Sequence, residues 1–176
     1  MKLLSFSFIL IFLLLISCKK EKLPKPTQKG ANTFGCKIDG KIFTPEDVIT
    51  VPVTVGLRAS YDETGSNYFE LRATEKKDEE KGGLRRTILF KIFNLKLGTN
   101  NLNEQNKVSV KISVDNNQLD KSYETDVATG GILTITRLDI NQNIISGTFS
   151  FVAQLQPGAS KTLSVTDGRF DVQYKQ

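Results

Sequence analysis

The chain has no histidine, no tryptophan, one methionine and only two cysteines in 176 residues. Without histidine there is no imidazole base and no imidazole metal ligand. That excludes Ser-His-Asp and Cys-His nucleophile pairs and His-ligated zinc. Without tryptophan, the strongest aromatic platform for a sugar ring is missing. Tyr61, Tyr68 and Tyr123 are the available substitutes, but a tyrosine in a strand more often sits half in the core. No glycine-rich loop follows a strand and opens a helix, so a nucleotide site has no support. Basic and acidic residues number 24 and 19 and are scattered rather than gathered into a stripe with aromatics. A nucleic-acid interface is therefore not expected.

Long hydrophobic runs are also scarce, and the clear one is at the start. Lys2 is followed by an apolar run from Leu3 to Ile16, broken only by Ser5 and Ser7. It is shorter than the roughly 20 residues a spanning helix needs, and it has the dimensions of a signal-peptide hydrophobic region. A buried helix fits poorly, because the run has no polar face and meets Lys19 and Lys20 directly. The run ends in Leu15-Ile16-Ser17-Cys18. This resembles the lipobox of bacterial lipoproteins, in which the chain is cut before the cysteine and that cysteine receives a diacylglyceryl thioether. The resemblance implies residues 1–17 as signal peptide and Cys18 as the lipidated N-terminus, with palmitate-type acyl chains. Without residues 1–17 the chain keeps 23 basic and 19 acidic residues, a formal net charge of +4. Cys36 is then the sole free thiol and no intramolecular disulfide can form. It reads as a small buried residue in a strand.

Residues 18–33 include Pro24 and Pro26, carry mostly polar side chains and show no apolar period. They read as a flexible, partly extended tether. From residue 34 the dominant period is two. Val108, Val110, Ile112 and Val114 alternate with Ser109, Lys111 and Ser113. The same holds for Phe69-Leu71-Ala73, Ile88-Phe90-Ile92, Phe149-Phe151-Ala153-Leu155 and Phe170-Val172-Tyr174. Such alternation marks half-buried strands. Runs at 34–43, 51–61, 131–138 and 161–166 add strand composition. A single short helical turn is conceivable over residues 95–106. The expected fold is all-β: residues 34–176 form one domain, an antiparallel β-sandwich of about 9–10 strands, with a partly open β-barrel as the alternative. The expected core holds Phe90, Ile92, Val110, Ile112, Ile135, Phe149, Phe151, Phe170 and Val172. The charged stretch from Thr74 to Gly83 reads as a solvated hairpin tip. Asp115–Gln118 and Asn141–Asn143 read as hairpin loops, and Pro157-Gly158 as a turn.

Three groups of side chains could carry chemistry. Asp139-x-Asn141-x-Asn143 begins like a calcium loop, but the glycine and bidentate glutamate such a loop needs are replaced by Ile144 and Ser150. A hairpin turn is the better reading. The pairs Asp62-Glu63 and Asp78-Glu79-Glu80 are the raw material of acid–base hydrolysis, yet they sit in charged loops where solvation is the ordinary role. Cys36 has only Lys37 beside it, on the opposite strand face, which is a poor thiol activator.

An ordered series of motifs runs through the chain: Ile38-Asp39-Gly40-Lys41-Ile42-Phe43, Tyr123-Glu124-Thr125, Gly131–Thr136, Leu138-Asp139, Ile145–Phe151 and Thr166–Val172. With the lipobox, this series resembles small domain-of-unknown-function lipoproteins of Bacteroidetes-type bacteria (DUF6252-like). The resemblance covers most of residues 34–176 and implies a cell-envelope lipoprotein with a β-rich domain. It transfers no catalytic residue. The expectation is a non-enzymatic membrane-anchored protein, structural or binding an envelope partner or ligand, with no cofactor. The alternative is an envelope hydrolase working through loop carboxylates. Surface-exported relatives of this type tend to have acid-rich tethers, whereas here Lys19 and Lys20 are followed by the single acid Glu21. The outer membrane is therefore expected, with the periplasmic face favoured over the cell surface.

Overall fold

Alternating apolar side chains give each strand one wet and one dry face, and the dry faces must meet. A computed structural model shows how. It describes residues 22–46, 56–77, 83–114, 117–126 and 128–175. The leader, Cys18 and Asp78-Glu79-Glu80 lie outside the described residues. Strands take 64% of the described residues and none of these residues is helical.

Eleven strands are present among the described residues: β1 (Thr33–Ile38), β2 (Lys41–Phe43), β3 (Leu57–Asp62), β4 (Tyr68–Lys77), β5 (Leu84–Ile92), β6 (Gly98–Leu102), β7 (Lys107–Val114), β8 (Asn117–Glu124), β9 (Gly131–Asp139), β10 (Ile144–Leu155) and β11 (Thr162–Gln173). They form one antiparallel sheet that does not close into a barrel. Its path runs β2-β1-β11-β10-β8-β7-β5-β4-β3, with β9 on β10 and β6 on β9. The long β10 makes the fold possible. From Ile144 to Phe151 it lies between β11 and β9, while Gln154 and Leu155 pair with Glu124 and Tyr123 of β8. One half of the sheet (β6, β9, β10, β11, β1, β2) thereby turns onto the other (β3, β4, β5, β7, β8), and the two face each other as the layers of a sandwich do.

Aromatic rings cross the interface. Phe90 of β5 meets Phe149 of β10 edge-on at 4.9 Å between centroids, and Phe69 of β4 stacks on Phe170 of β11 at 6.0 Å. Phe34 of β1 touches Phe43, Phe90 and Phe149. The expected core residues are buried, with Ile112 only partly so, at the margin of the cluster. The far edge is also tied. Tyr61 N–H donates to the Lys175 carbonyl (3.2 Å), and Lys175 N–H donates to that of Ala59 (3.1 Å).

The conceivable helical turn over 95–106 is instead β6 with its flanking loops. Gly98 takes a positive φ, and the Asn100 side chain bridges Lys96 and Gly98. Asn100 and Leu102 then point inward, and the strand pairs with β9. A helix would forfeit that ladder. The β1–β2 hairpin turns on Asp39 and Gly40, both at positive φ, the geometry a two-residue hairpin requires.

Candidate functional site

The surface feature with the most elaborate construction is the docking of residues 22–32, expected above to belong to a flexible tether. On β11, Phe170 and Val172 point into the core, so Asp171 points to the outer face. An isolated carboxylate there would normally be solvated. Instead, the preceding chain folds over it and Asp171 is 1% exposed. One of its oxygens accepts hydrogen bonds from the Thr27 hydroxyl (2.6 Å) and from the N–H groups of Lys29 (2.9 Å) and Ala31 (3.1 Å). The other accepts from Gly30 N–H (2.9 Å) and the Ser146 hydroxyl of β10 (2.7 Å). Burial disfavours the charge, but the bonds from Thr27, Ser146, Lys29 and Ala31 outweigh it and hold the carboxyl well below the usual carboxylate range. Arg137 donates to the Gln28 carbonyl, and Arg169 to that of Pro24 at 3.4 Å. Pro24 also lies so close to Gly35 that a Cβ there would stand 2.5 Å from the proline ring, which explains a glycine inside β1. Residues 22–32 are therefore a strap on the domain. Their composition is polar, as a tether's would be, but the carboxylate that binds them lies 140 or more positions away.

A second cluster is internal. Glu75 of β4 and Arg86 of β5 are register partners on the inward face, both buried. Arg86 Nε donates to Glu75 at 2.7 Å, and a second guanidinium nitrogen reaches the same carboxylate and the Ile42 carbonyl (3.0 Å). The guanidinium also lies over the Phe43 ring, 5.5 Å from its centroid. Thr44 N–H donates to Glu75 (3.3 Å), and Lys77 completes the cluster at the same distance. The pair thus fastens the β1–β2 hairpin to the opposite half of the sheet. Glu75 lay inside the stretch expected to be a solvated tip. The signal that places it was available: it shares parity with Leu71 and Ala73, as Arg86 does with Ile88 and Phe90.

Cys36 is fully buried near this pair. Burial pushes its thiol up to about 12, although the Arg86 guanidinium works in the other direction. Lys37 points outward and pairs with Asp167 at 2.9 Å.

The remaining sequence-derived residues are dispersed. Asp62 ends the edge strand β3 and accepts bonds from the Thr64 N–H and hydroxyl, closing the turn that follows. Asp139 accepts from Arg137 (2.7 Å) and Gln142 N–H (3.0 Å), and Asn143 takes a positive φ, as a hairpin needs. Tyr61 and Tyr123 are buried, and Tyr68 is partly buried against Phe93. No three His, Cys, Asp or Glu side chains converge among the described residues. A cleft of about 670 Å³ beside β3 is lined by Arg58, Glu70, Gln173 and Lys175, among others. A smaller one of about 380 Å³ is lined mostly by asparagines, but these build turns: Asn103 accepts from the N–H groups of Gln105 and Asn106, and Asn106 from that of Phe93.

Fold and site together define a single-sheet, all-antiparallel β-domain carrying an N-terminal strap clamped on a buried carboxylate. Residues 58–172 match the family model described as "Domain of unknown function (DUF6252)", and the chain belongs to that family. The match spans β4 through β10 entirely and most of β3 and β11, including Glu75, Arg86 and Asp171. No curated protein and no solved structure matches the chain.

Proposed function

We propose that this protein is a lipid-anchored component of the bacterial cell envelope, held at the outer membrane on its periplasmic side through Cys18. Its β-domain is a non-catalytic module, structural or partner-binding. The observation that carries the reading is the apolar run Leu3–Ile16 ending in Leu15-Ile16-Ser17-Cys18, immediately before a lysine-rich stretch. Two C16-length chains on Cys18 would bury roughly 30 CH₂ groups at about 0.8 kcal/mol each, enough for stable anchoring. The strap supports the reading, because a clamp on the residues just after Cys18 transmits the anchor's hold to the domain.

The test is fractionation of wild type and Cys18→Ala in high salt, with mass spectrometry of the N-terminal peptide. The wild type is expected in the membrane fraction with an acylated Cys18, and the folded variant is expected to be released or left unprocessed. Salt would weaken a purely electrostatic attachment of the +4 chain but leaves acyl insertion intact. An unmodified Cys18 in the wild type, or a membrane-bound variant whose leader has been removed, would overturn the assignment.

A further inference from the structure

Resting on the lipid-anchor reading, we propose that the outer face of β9, β10 and β11 lies against the anionic surface of the anchoring membrane. The covalent geometry is the first argument. Lys22 is already part of the strap, and three residues separate it from Cys18, four Cα-to-Cα steps with a reach of at most about 14 Å. Leu23 and Pro24 lie over Gly35 of β1, and Pro26 lies beside Ile132, Thr148 and Arg169. The chain therefore enters the domain on this face. To present the opposite face, the anchor would have to pass around two packed layers about 10 Å apart and their outer side chains.

Apolar exposure is the second argument. Five large hydrophobic side chains are exposed among the described residues. Phe93, Leu97 and Ile140 lie between strands, and the two within strands are Ile132 (50%) of β9 and Val152 (37%) of β10. Ile132 is the register partner of Ser150, and Val152 that of Ser164. Both are outward, since Leu133, Phe151 and Ala153 fill the core. With Pro26 they give this face a small apolar centre. Among the described residues, the outer faces of β3, β4 and β5 carry no exposed large apolar side chain.

Charge is the third. Lys22 and Lys25 are exposed on the strap and Arg169 is half-buried beside it. The neighbouring acid, Asp167, is paired with Lys37. Lys19 and Lys20 precede the strap, with Glu21 the sole acid from Cys18 to Pro26. A basic rim around an apolar centre, set beside a lipid-bearing residue, matches an anionic lipid surface.

Cys36 is buried and Cys18 would be acylated, so an introduced cysteine supplies the one reactive thiol. Full-length lipidated Ile132→Cys and Arg72→Cys proteins, each carrying a bimane label, are reconstituted into phosphatidylethanolamine–phosphatidylglycerol vesicles. The vesicles contain a headgroup-proximal doxyl lipid quencher. Quenching at position 132 is expected to exceed that at position 72, on the outer face of β4, at least threefold. Equal quenching, or more at position 72, in protein that still sediments with the vesicles would overturn the proposed face while leaving the anchor intact. Protein that fails to sediment would overturn the anchor and the proposed face together. Val152→Cys and Glu70→Cys repeat the comparison if a label at the first pair disturbs folding.

Discussion

Replacing Asp171 with asparagine keeps the shape of the side chain and removes its charge, so it isolates what the carboxylate does for the strap. The carboxylate accepts five hydrogen bonds, three from backbone N–H groups and two from hydroxyls. An asparagine retains one accepting oxygen. If its amide nitrogen faces Gly30 and Ser146, the serine hydroxyl can rotate to accept but the Gly30 N–H cannot, and one buried donor loses its partner. The reverse orientation strands two, Lys29 and Ala31. An orphaned donor costs about 1–3 kcal/mol, and the remaining bonds lose the charge that roughly doubles their strength. The strap can escape part of this cost by lifting off and exposing its donors to water. The expected loss is therefore about 2–4 kcal/mol, concentrated in residues 27–31. Urea unfolding gives the total, and amide hydrogen exchange at Lys29, Gly30 and Ala31 gives the location: slow in the wild type, fast in the variant. The pH dependence follows from the same bonds. The folded carboxyl ionises well below its unfolded value of about 3.9. Its contribution is thus fully present above about pH 5 and is lost as pH falls through the unfolded value toward the folded one. The stability gap between wild type and Asp171→Asn should be constant from pH 7 to about pH 5 and narrow below about pH 4. Unchanged exchange at residues 29–31, or a gap that widens in acid, would refute the account of the clamp.

Three further outcomes follow from the interior. Arg86→Met should destabilise by about 3–5 kcal/mol, because it strips the buried Glu75 carboxylate of its guanidinium and leaves it only the longer contacts to Lys77 and the Thr44 N–H; the double variant Arg86→Met/Glu75→Leu should recover much of that in chemical denaturation. Phe149→Ala should cost about 3–5 kcal/mol, since its ring contacts Phe34, Phe90, Phe151 and Phe170 and the void would open at the centre of the interface; a loss below 1 kcal/mol in urea titration would contradict that placement. The Cys36 thiol, pushed up to about 12 by burial, should resist a disulfide reagent at pH 8 in the folded protein and react at once in denaturant, and rapid native reaction would mean that β1 is not packed as described.

The alternation of side chains was enough to identify most strands and the inward residues, because a side chain's face in a strand is decided by its immediate neighbours. Phe149 and Phe151, or Val108 and Val110, needed no knowledge of their partners to be assigned to a core. The hairpin turn at Asn141–Asn143 was legible for the same reason, since it acts within a few residues, whereas the Asp39-Gly40 turn was hidden inside what looked like one run over 34–43. What escaped was everything that couples distant positions. Glu75 was read with the charged tip that follows it, although its parity placed it inward opposite Arg86. Residues 95–106 showed no alternation clear enough to predict β6, whose pairing is supplied by β9. The strap looked like a free tether because its composition is polar, and polar chain is free only if no acceptor competes with water for its N–H groups. Asp171 is that acceptor, brought beside Thr27–Ala31 by the pairing of β11 with β1 and β10. Local sequence decides which face a residue presents; only the assembled sheet decides whether water, a carboxylate or another strand waits there.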